Sequence, residues 1–475
     1  MGLIPNASYS ITVRLDVPAD GLPASQLTTA VESAGGMVTA FDVTAARGDR
    51  MQVDLTCAAP DADHADQITA ALGAVAGVTV GKVSDRTFLL HLGGKIEVRS
   101  KVPLRTRDDL SMAYTPGVAR VCRAIVNNPD DVRRLTIKRN TVAVVTDGSA
   151  VLGLGNIGPA AALPVMEGKA ALFKRFAGID AWPICLATQD SDEIVRTVEV
   201  LAPGFGGINL EDIAAPKCFE IEARLREILD IPVFHDDQHG TAIVVLAALT
   251  NALRVVGKPL DGVRIVMSGA GAAGTAILKL LTAAGARDIV IGDVEGLVHP
   301  GRPGLDDSLR ALAAMTNPGP LTGRIGAALH GADVFIGVSA PDVVTEADVA
   351  AMAPDSIVFA LANPDPEIDP QQARRHARVV ATGRSDFPNQ INNVLAFPGV
   401  FRGLLDAQSR TIPQSALLAA AEALANVVTD DERHANYIIP SVFHPDLAST
   451  VAAAVTESVR GGASGQGEPD RRIDE

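Results

Sequence analysis

The sequence predicts an α/β protein, with a small unit of mixed strands and helices followed by two units in which strands and helices alternate. Three observations indicate this class. Short apolar segments bounded by turn residues recur along the chain and alternate with stretches of helical periodicity. Acidic or amide side chains directly follow several of these segments, as they do at the carboxyl ends of parallel strands. A glycine-rich segment lies between one such strand and an apolar helix.

Length and composition limit what the chain can do. At 475 residues with 47% hydrophobic content, it can form about three domains with large cores. The net charge of −15 argues against nucleic acid as a partner, because no basic stripe offsets phosphate repulsion. The four cysteines are widely separated, which indicates neither a zinc site nor a disulfide framework. With no signal sequence and no apolar run long enough for a bilayer, we expect a cytoplasmic protein that does not bind membranes.

The first 90 residues follow a strand and helix pattern of their own. The predicted strands lie at 8–18, 37–45, 50–57 and 77–83, and the predicted helices at 22–32 and 61–73. This order, βαββαβ, is that of a ferredoxin-like fold. With its loop at 18–25, the unit resembles an ACT regulatory domain, a module that commonly binds small effectors such as amino acids. A dimerisation module without a ligand has the same pattern, because a fold does not fix a function.

Tyr114 lies just before a Thr-Pro-Gly turn. Its hydroxyl can therefore project from a loop, which is a suitable setting for a catalytic acid. The alternative is a structural tyrosine whose hydroxyl bonds to a backbone carbonyl.

A buried strand is predicted at 141–146 and is followed by Gly153-Leu-Gly155-Asn-Ile-Gly158, a formal match to the dinucleotide fingerprint. We do not interpret it as a cofactor site. Prolines crowd the start of the next helix, and Asp180 precedes a new apolar run instead of ending a strand. We interpret these glycines instead as residues that let the backbone approach a substrate closely.

Lys169 lies in the predicted helix 160–176, flanked mostly by small or apolar residues. Such a lysine either extends its amine from a buried helix to solvent or acts as a desolvated base.

Two acidic pairs, Glu211-Asp212 and Asp236-Asp237, each follow a short apolar run. A helix predicted at 215–229 separates them, so the pairs fit a strand–helix–strand crossover that brings both to one crevice. A long apolar helix is predicted after the second pair, at 242–256. Clustered carboxylates repel each other unless a cation lies among them. Hard oxygen ligands without a nearby cysteine favour Mg²⁺ or Mn²⁺. The alternative is helix capping and a solvated acidic loop.

The second glycine-rich segment comprises Gly269, Ala270, Gly271, Ala272, Ala273 and Gly274. A strand precedes it, a helix predicted at 275–284 follows, and the next strand ends at Asp293, 293 − 274 = 19 residues past the last glycine. The segment therefore predicts a Rossmann-type doubly wound domain, in which pyrophosphate meets the helix N-terminus and Asp293 bonds the ribose. Glu295 would repel a 2′-phosphate, which favours NAD over NADP, unless Arg302 folds back onto this loop.

Further strands are predicted within 332–339, 357–362 and 379–382. Asn363 and the pair Asn392-Asn393 lie near strand ends on the cofactor side. Their amides can bond a substrate carboxylate or the cofactor carboxamide without adding charge, and turn formation is the alternative. Helices at 416–428 and 446–459 close the chain.

Six motifs occur in one order: Tyr114-Thr-Pro-Gly, Gly153-Leu-Gly155-Asn, Glu167-Gly-Lys169, Glu211-Asp212, Asp236-Asp237 and Gly269-Ala-Gly271. Over about 95–460 the chain resembles malic enzymes of the short bacterial type. The resemblance implies that Tyr114, Lys169, Glu211, Asp212 and Asp237 carry the chemistry. Animal members have an arginine that grips a substrate carboxylate where this chain has Ala150, so the grip is expected from the metal, Asn363, Asn393 and a neighbouring subunit.

The implied reaction is NAD-dependent oxidative decarboxylation of malate to pyruvate and CO₂. Lys169 is the expected base, Tyr114 the expected acid that protonates C3, and the metal the Lewis acid that stabilises the enolate. Asp236 is expected to orient Lys169 or a metal-bound water. The alternatives are an NADP-preferring malic enzyme, a metal-free amino-acid dehydrogenase, and a non-catalytic effector sensor.

We therefore predict four regions along the chain. They are an ACT-like domain at 1–90, a catalytic metal and substrate domain at 91–250, an NAD-binding domain with C-terminal helices at 251–460, and a disordered tail at 461–475. We also expect a homodimer or higher homo-oligomer.

Overall fold

The computed structural model describes residues 5–19, 24–151, 153–319 and 321–464. The chain forms two compact units, Met1–Arg99 and Ser100–Glu475. Residues 20–23, in the loop predicted at 18–25, lie outside the described residues, and so does the predicted tail from 465 onwards.

The N-terminal unit has the predicted ferredoxin-like order, and its strands pair as β2-β3-β1-β4, with every pair antiparallel. Alternate residues of β1 (Val13, Leu15 and Val17) point into a core covered by two helices, while Arg14 pairs with Asp54 on the opposite face. The elements are β1 (Asn6–Pro18), α1 (Ala24–Ser33), β2 (Met37–Arg47), β3 (Arg50–Ala59), α2 (Ala62–Gly73), β4 (Thr79–Asp85) and α3 (Arg86–His91).

The second unit begins with three short helices, α4 (Arg107–Ala113), α5 (Val118–Asn127) and α6 (Asp131–Leu135). None of the residues in these three described helices is buried, although α5 has apolar side chains along one side. This stretch therefore presents an apolar surface that the described residues of the second unit leave uncovered.

A parallel sheet in the order β6-β5-β7-β8 forms the first α/β layer. Strand β5 is buried along its whole length, as its unbroken apolar run predicts for a strand covered on both faces. The elements are β5 (Thr141–Thr146), α7 (Pro159–Ala177), β6 (Asp180–Cys185), α8 (Ser191–Leu201), β7 (Gly207–Leu210), α9 (Lys217–Ile228) and β8 (Val233–His235).

Helix α10 (Asp236–Val256) starts directly after β8, six residues earlier than the helix predicted from Ala242. Its acidic first turn is favourable because carboxylates interact well with the positive end of the helix dipole. By length and composition it could cross a membrane, but 67% of its most apolar stretch is buried inside the protein. It packs in the core between the two α/β layers, so the predicted boundary at 250 falls inside a continuous helix.

The second sheet has the order β11-β10-β9-β12-β13-β14 and is parallel apart from β11. Strand β9 lies between β10 and β12, so the strand order reverses there and opens a crevice. This is the predicted doubly wound fold. The elements are β9 (Arg264–Ser268), α11 (Ala272–Ala283), β10 (Asp288–Asp293), β11 (Gly296–Leu297), α12 (Asp307–Ala313), α13 (Ile325–Ala328), β12 (Val334–Gly337), α14 (Glu346–Ala350), β13 (Ile357–Ala360), α15 (Pro370–Ala373) and β14 (Val379–Thr382).

Three helices complete the unit, α16 (Phe397–Asp406), α17 (Gln414–Asn426) and α18 (Leu447–Ser464). The last one continues five residues beyond the predicted end at 459 and includes the first residues of the predicted tail. Phe397 and Phe401 of α16 meet Phe173 of α7 edge to face, with ring centroids 4.7 and 5.2 Å apart. These contacts join the C-terminal helices to the first α/β layer.

Candidate active site

The carboxylates predicted as metal ligands converge at the ends of two neighbouring parallel strands. Glu211 and Asp212 follow β7, and Asp237 lies in the first turn of α10, which directly follows β8. One carboxylate oxygen from each lies within 4.8 Å of the others. The backbone N–H of Asp212 also donates to Oδ2 of Asp237 at 3.0 Å. The crossover thus produces a compact acidic group.

Burial makes this group electrostatically unfavourable by itself. Removal from water and repulsion from the neighbouring Asp237 carboxylate together raise the pKa of Asp212 to about 7. Burial likewise raises the pKa of Glu211, although Lys169 opposes the shift. Within the described part of the chain, the buried Oδ2 of Asp212 has no hydrogen-bond partner. A divalent cation would satisfy both the excess charge and the free oxygen, so these residues fit a Mg²⁺ or Mn²⁺ ion.

Lys169 points into the same place from helix α7. Its Nζ lies 2.9 Å from Oε1 of Glu211, forms a short hydrogen-bonded ion pair with Oδ2 of Asp236, and lies 4.1 Å from the ring centre of Phe397. The side chain is only 7% exposed, which rules out extension to solvent. Burial lowers the pKa of Lys169, but the attraction of Asp236 and Glu211 outweighs burial, so its pKa is raised.

Asp236 is fully buried and links Lys169 to another predicted site residue, Asn393. The Asn393 Nδ2 donates to Oδ2 of Asp236 at 2.5 Å. The side chain of Asn392 instead accepts from the N–H of Val394, which is the turn-forming role. Asn393 therefore contacts the partner of the candidate base, whereas the sequence suggested contact with substrate.

Tyr114 ends helix α4 and is 68% exposed. Across the described chain, its hydroxyl forms no hydrogen bond to a backbone carbonyl or a side chain. The contact expected of a purely structural tyrosine is thus missing from these residues.

The cofactor fingerprint has the geometry that its glycines predict. A Cβ at Gly269 would lie 2.5 Å from the Val338 carbonyl oxygen, and one at Gly274 would lie 1.8 Å from the Gly269 carbonyl oxygen. A Cβ at Gly271 would meet no atom within 4 Å, because this residue faces an open cleft of about 970 Å³. Ala270 and Asp293 also line the cleft, and Ala272 and Ala273 begin α11, so pyrophosphate has access to a helix N-terminus.

Arg302 folds back onto the cofactor loop, which was the condition that could change cofactor choice. Its Nη1 donates to Oδ1 of Asp293 at 2.7 Å, and its Nη2 donates to Oδ2 at 2.5 Å. Burial tends to raise the pKa of Asp293, but this bidentate pair lowers it overall. The acidic residue that would bind the ribose is thus already paired with a cation.

The first glycine segment packs backbone against backbone. A Cβ at Gly148 would lie 2.3 Å from the Gly158 carbonyl oxygen, and one at Gly153 would lie 3.2 Å from that of Asn363. Asn363 therefore lies beside this loop. The glycines allow separate stretches of backbone to approach each other closely.

Two further polar residues, Asn209 and Glu222, contact this region and were not predicted from the sequence motifs. The Asn209 Nδ2 donates to Oε2 of Glu211 at 2.8 Å. Glu222 is a buried carboxylate on the apolar side of α9, together with Cys218, Ile221 and Leu225. A charged residue at helical spacing within an apolar face was a signal available in the sequence.

Comparisons with known proteins agree along the second unit. A family model described as the malic enzyme N-terminal domain matches residues 93–226, and one described as the malic enzyme NAD binding domain matches 238–460. The chain is 55% identical to an NAD-dependent malic enzyme of Geobacillus stearothermophilus over 96% of both chains. It is 56% identical to a bifunctional malic/malolactic enzyme of Bacillus subtilis, over 79% of this chain and 93% of that protein.

A solved malic enzyme structure is also similar to this chain. The crystal structure of an NAD-dependent malic enzyme from Thermotoga maritima superimposes with a TM-score of 0.76 at 48% identity, covering 78% of this chain and 99% of that one.

Proposed function

The chain belongs to the malic enzyme family, and on this premise we propose that it oxidises and decarboxylates (S)-malate to pyruvate and CO₂ with reduction of NAD. The observation that carries the proposal is the meeting of three carboxylates, Glu211, Asp212 and Asp237, beside the buried Lys169. The doubly wound sheet of the same unit supplies the nicotinamide cleft.

Glu211, Asp212 and Asp237 would hold Mg²⁺ or Mn²⁺. When bound, this ion supplies positive charge that polarises the substrate oxygens and stabilises the negative charge left as CO₂ departs.

Lys169 is the proposed general base for oxidation at C2, where it removes the proton of the C2 hydroxyl; NAD, when bound, would accept the hydride. A lysine must be neutral to accept that proton, and its raised pKa keeps it charged in the arrangement seen here. Asp236 is in direct contact, and burial raises its own pKa, so it is positioned to take the lysine proton. Asp236 thus returns Lys169 to its neutral form before each turnover.

Tyr114 is the proposed general acid, which gives its proton to C3 after the C3–C4 bond breaks. Its exposed hydroxyl is available for that role. Asn363 and Asn393 are proposed to help bind substrate, with Asn363 also next to the cofactor. Asn393 would use the amide oxygen left free by its bond to Asp236.

We further propose that the protein works as a homodimer or larger homo-oligomer. Helix α4 and the segment before it present Leu104, Leu110 and Met112, which are 58%, 52% and 69% exposed. Such a concentration of apolar surface around Tyr114 is typical of a contact with another copy of the chain.

The N-terminal unit is proposed to be an ACT-like regulatory module for a small effector such as an amino acid. The support is its ferredoxin-like strand order. Calorimetric titration of single amino acids into the whole protein tests this role, and a dimerisation module without ligand predicts no heat of binding. We also propose a cytoplasmic location.

One assay tests the main proposal. Absorbance of reduced nicotinamide is followed with malate, comparing NAD with NADP, with and without divalent ion. We expect metal-dependent reduction of NAD. Activity that survives EDTA would contradict the proposed metal dependence, and absence of any reduction of NAD would contradict the proposed reaction.

A further inference from the structure

Glu222 on α9 is a buried carboxylate with four polar partners. Its Oε1 accepts from the backbone N–H of His235 at 3.1 Å and lies 2.8 Å from Nε2 of His239. Its Oε2 accepts from Nε2 of Gln238 at 3.2 Å. Arg226, one turn further along α9, places Nη2 2.9 Å from Oε1. All four partners therefore converge on one side chain that is 5% exposed.

Three of these partners belong to the segment that carries the site. His235 is the last residue of β8, and Gln238 and His239 lie in the first turns of α10. Asp236 and Asp237 lie between them. The N-cap residue of α10, His235, makes no capping hydrogen bond with its own side chain, and Glu222 accepts from its N–H and so ties the strand end to the helix start.

The site leaves little tolerance for movement of that junction. A Cβ at Gly240, one turn along α10, would lie 2.0 Å from Oδ1 of Asp236. Asp237 must at the same time keep one oxygen within 4.8 Å of oxygens from Glu211 and Asp212. A small rotation of the first turn would change both contacts.

We propose that Glu222 is a positioning residue that fixes the β8–α10 junction so that Asp237 completes the metal site and Asp236 meets Lys169. The inference rests on the proposed function and extends it, because Glu222 touches neither substrate nor metal. A carboxylate accepts from the His235 N–H and Gln238 Nε2 and balances the charge of Arg226, whereas a glutamine amide is neutral and would turn its own N–H groups towards these donors.

The test compares Glu222→Gln with Glu220→Gln, a matched change on the same helix at an exposed residue that pairs with Arg224. The whole protein without malate is titrated with Mn²⁺ by calorimetry, and NAD affinity is measured separately. Residues that support metal ligands typically alter metal affinity 10–100-fold, so we expect Glu222→Gln to weaken Mn²⁺ binding at least about tenfold. NAD affinity should stay within about twofold, and Glu220→Gln should match the wild type in both.

Unchanged Mn²⁺ affinity in Glu222→Gln would overturn the inference, and so would a parallel loss of NAD affinity, which indicates general damage. If Glu222→Gln does not fold, Gln238→Met removes one donor and keeps the carboxylate. A severalfold loss of Mn²⁺ affinity in that variant supports the inference, and no loss contradicts it. If the wild type itself binds no Mn²⁺, the proposed function fails, which is a different result from failure of Glu222 alone.

Discussion

Asn393 and Lys169 both donate to the same oxygen of Asp236, one from the segment after β14 and the other from α7. Asp236 is fully buried, so its charge depends on these two donors. The candidate base is therefore held by residues from both α/β layers of the second unit.

The first prediction concerns this shared oxygen. Asn393→Ala should lower kcat for malate about tenfold, because loss of a donor to a buried carboxylate typically costs about 1–3 kcal/mol and loosens Asp236. Steady-state kinetics at saturating metal measure the effect. Asn392→Ala is the control, since that residue only caps a short turn and should keep kcat within about threefold. Equal losses in both variants would argue against a special role for Asn393.

Tyr114 gives a prediction that separates the two steps of the reaction. Tyr114→Phe should slow pyruvate formation by about 10²-fold, because a positioned general acid typically contributes that much, while reduction of added oxaloacetate by NADH is spared. Lys169→Met should impair both reactions. Because Tyr114 is exposed, Tyr114→Phe should change the free energy of unfolding of the protein by less than about 0.5 kcal/mol. Near-normal malate oxidation by Lys169→Met would show that the base is another group.

The acidic group predicts how stability depends on pH and metal. The folded pKa of Asp212 is raised to about 7, so the folded state holds a proton that the unfolded state releases near pH 4. Stability of the metal-free protein should therefore fall as pH rises from about 4 to about 7, and Glu211 adds in the same direction.

Thermal unfolding in EDTA, measured from pH 5 to pH 8, tests this dependence. Saturating Mg²⁺ should reduce the fall, because the ion binds the deprotonated carboxylates. A melting temperature in EDTA that rises over this range would contradict the assignment of these carboxylates as buried and mutually repelling.

Cofactor choice gives a further prediction. Asp293→Ser should release Arg302, whose guanidinium could then bind a 2′-phosphate with two hydrogen bonds. We expect kcat/KM for NADP relative to NAD to rise at least about tenfold. Glu295→Gln keeps the Asp293–Arg302 pair and should change the ratio less. An unchanged ratio in Asp293→Ser would mean that this pair does not face the adenosine ribose.

Local patterns were sufficient to predict where the two acidic pairs lie in the fold. Strand β5 has the predicted bounds, and the acidic pairs follow strand ends as their position after apolar runs indicated. The reason is that parallel strands covered on both faces leave an unbroken apolar signature, and their carboxyl ends all open to one side.

Other features depended on contacts between distant segments. The sequence predicts the start of α10 too late because Asp-Asp-Gln-His-Gly has the composition of a loop, whereas the helix dipole and Glu222 stabilise it as a first turn. The pairing of Arg302 with Asp293 and that of Asn393 with Asp236 depend on how chains fold back in space, and no local periodicity records them.

Helix α10 carries Asp237 at one end and, along its remaining turns, buried side chains packed against the nicotinamide-binding layer. A cut at residue 250 would interrupt this one continuous helix. Catalytic and cofactor-binding modules from different relatives therefore cannot be exchanged at that position. A chimera that keeps Asp236–Val256 intact and joins at Gly257, where the helix ends in a left-handed turn, preserves both the acidic first turn and the buried face of the helix.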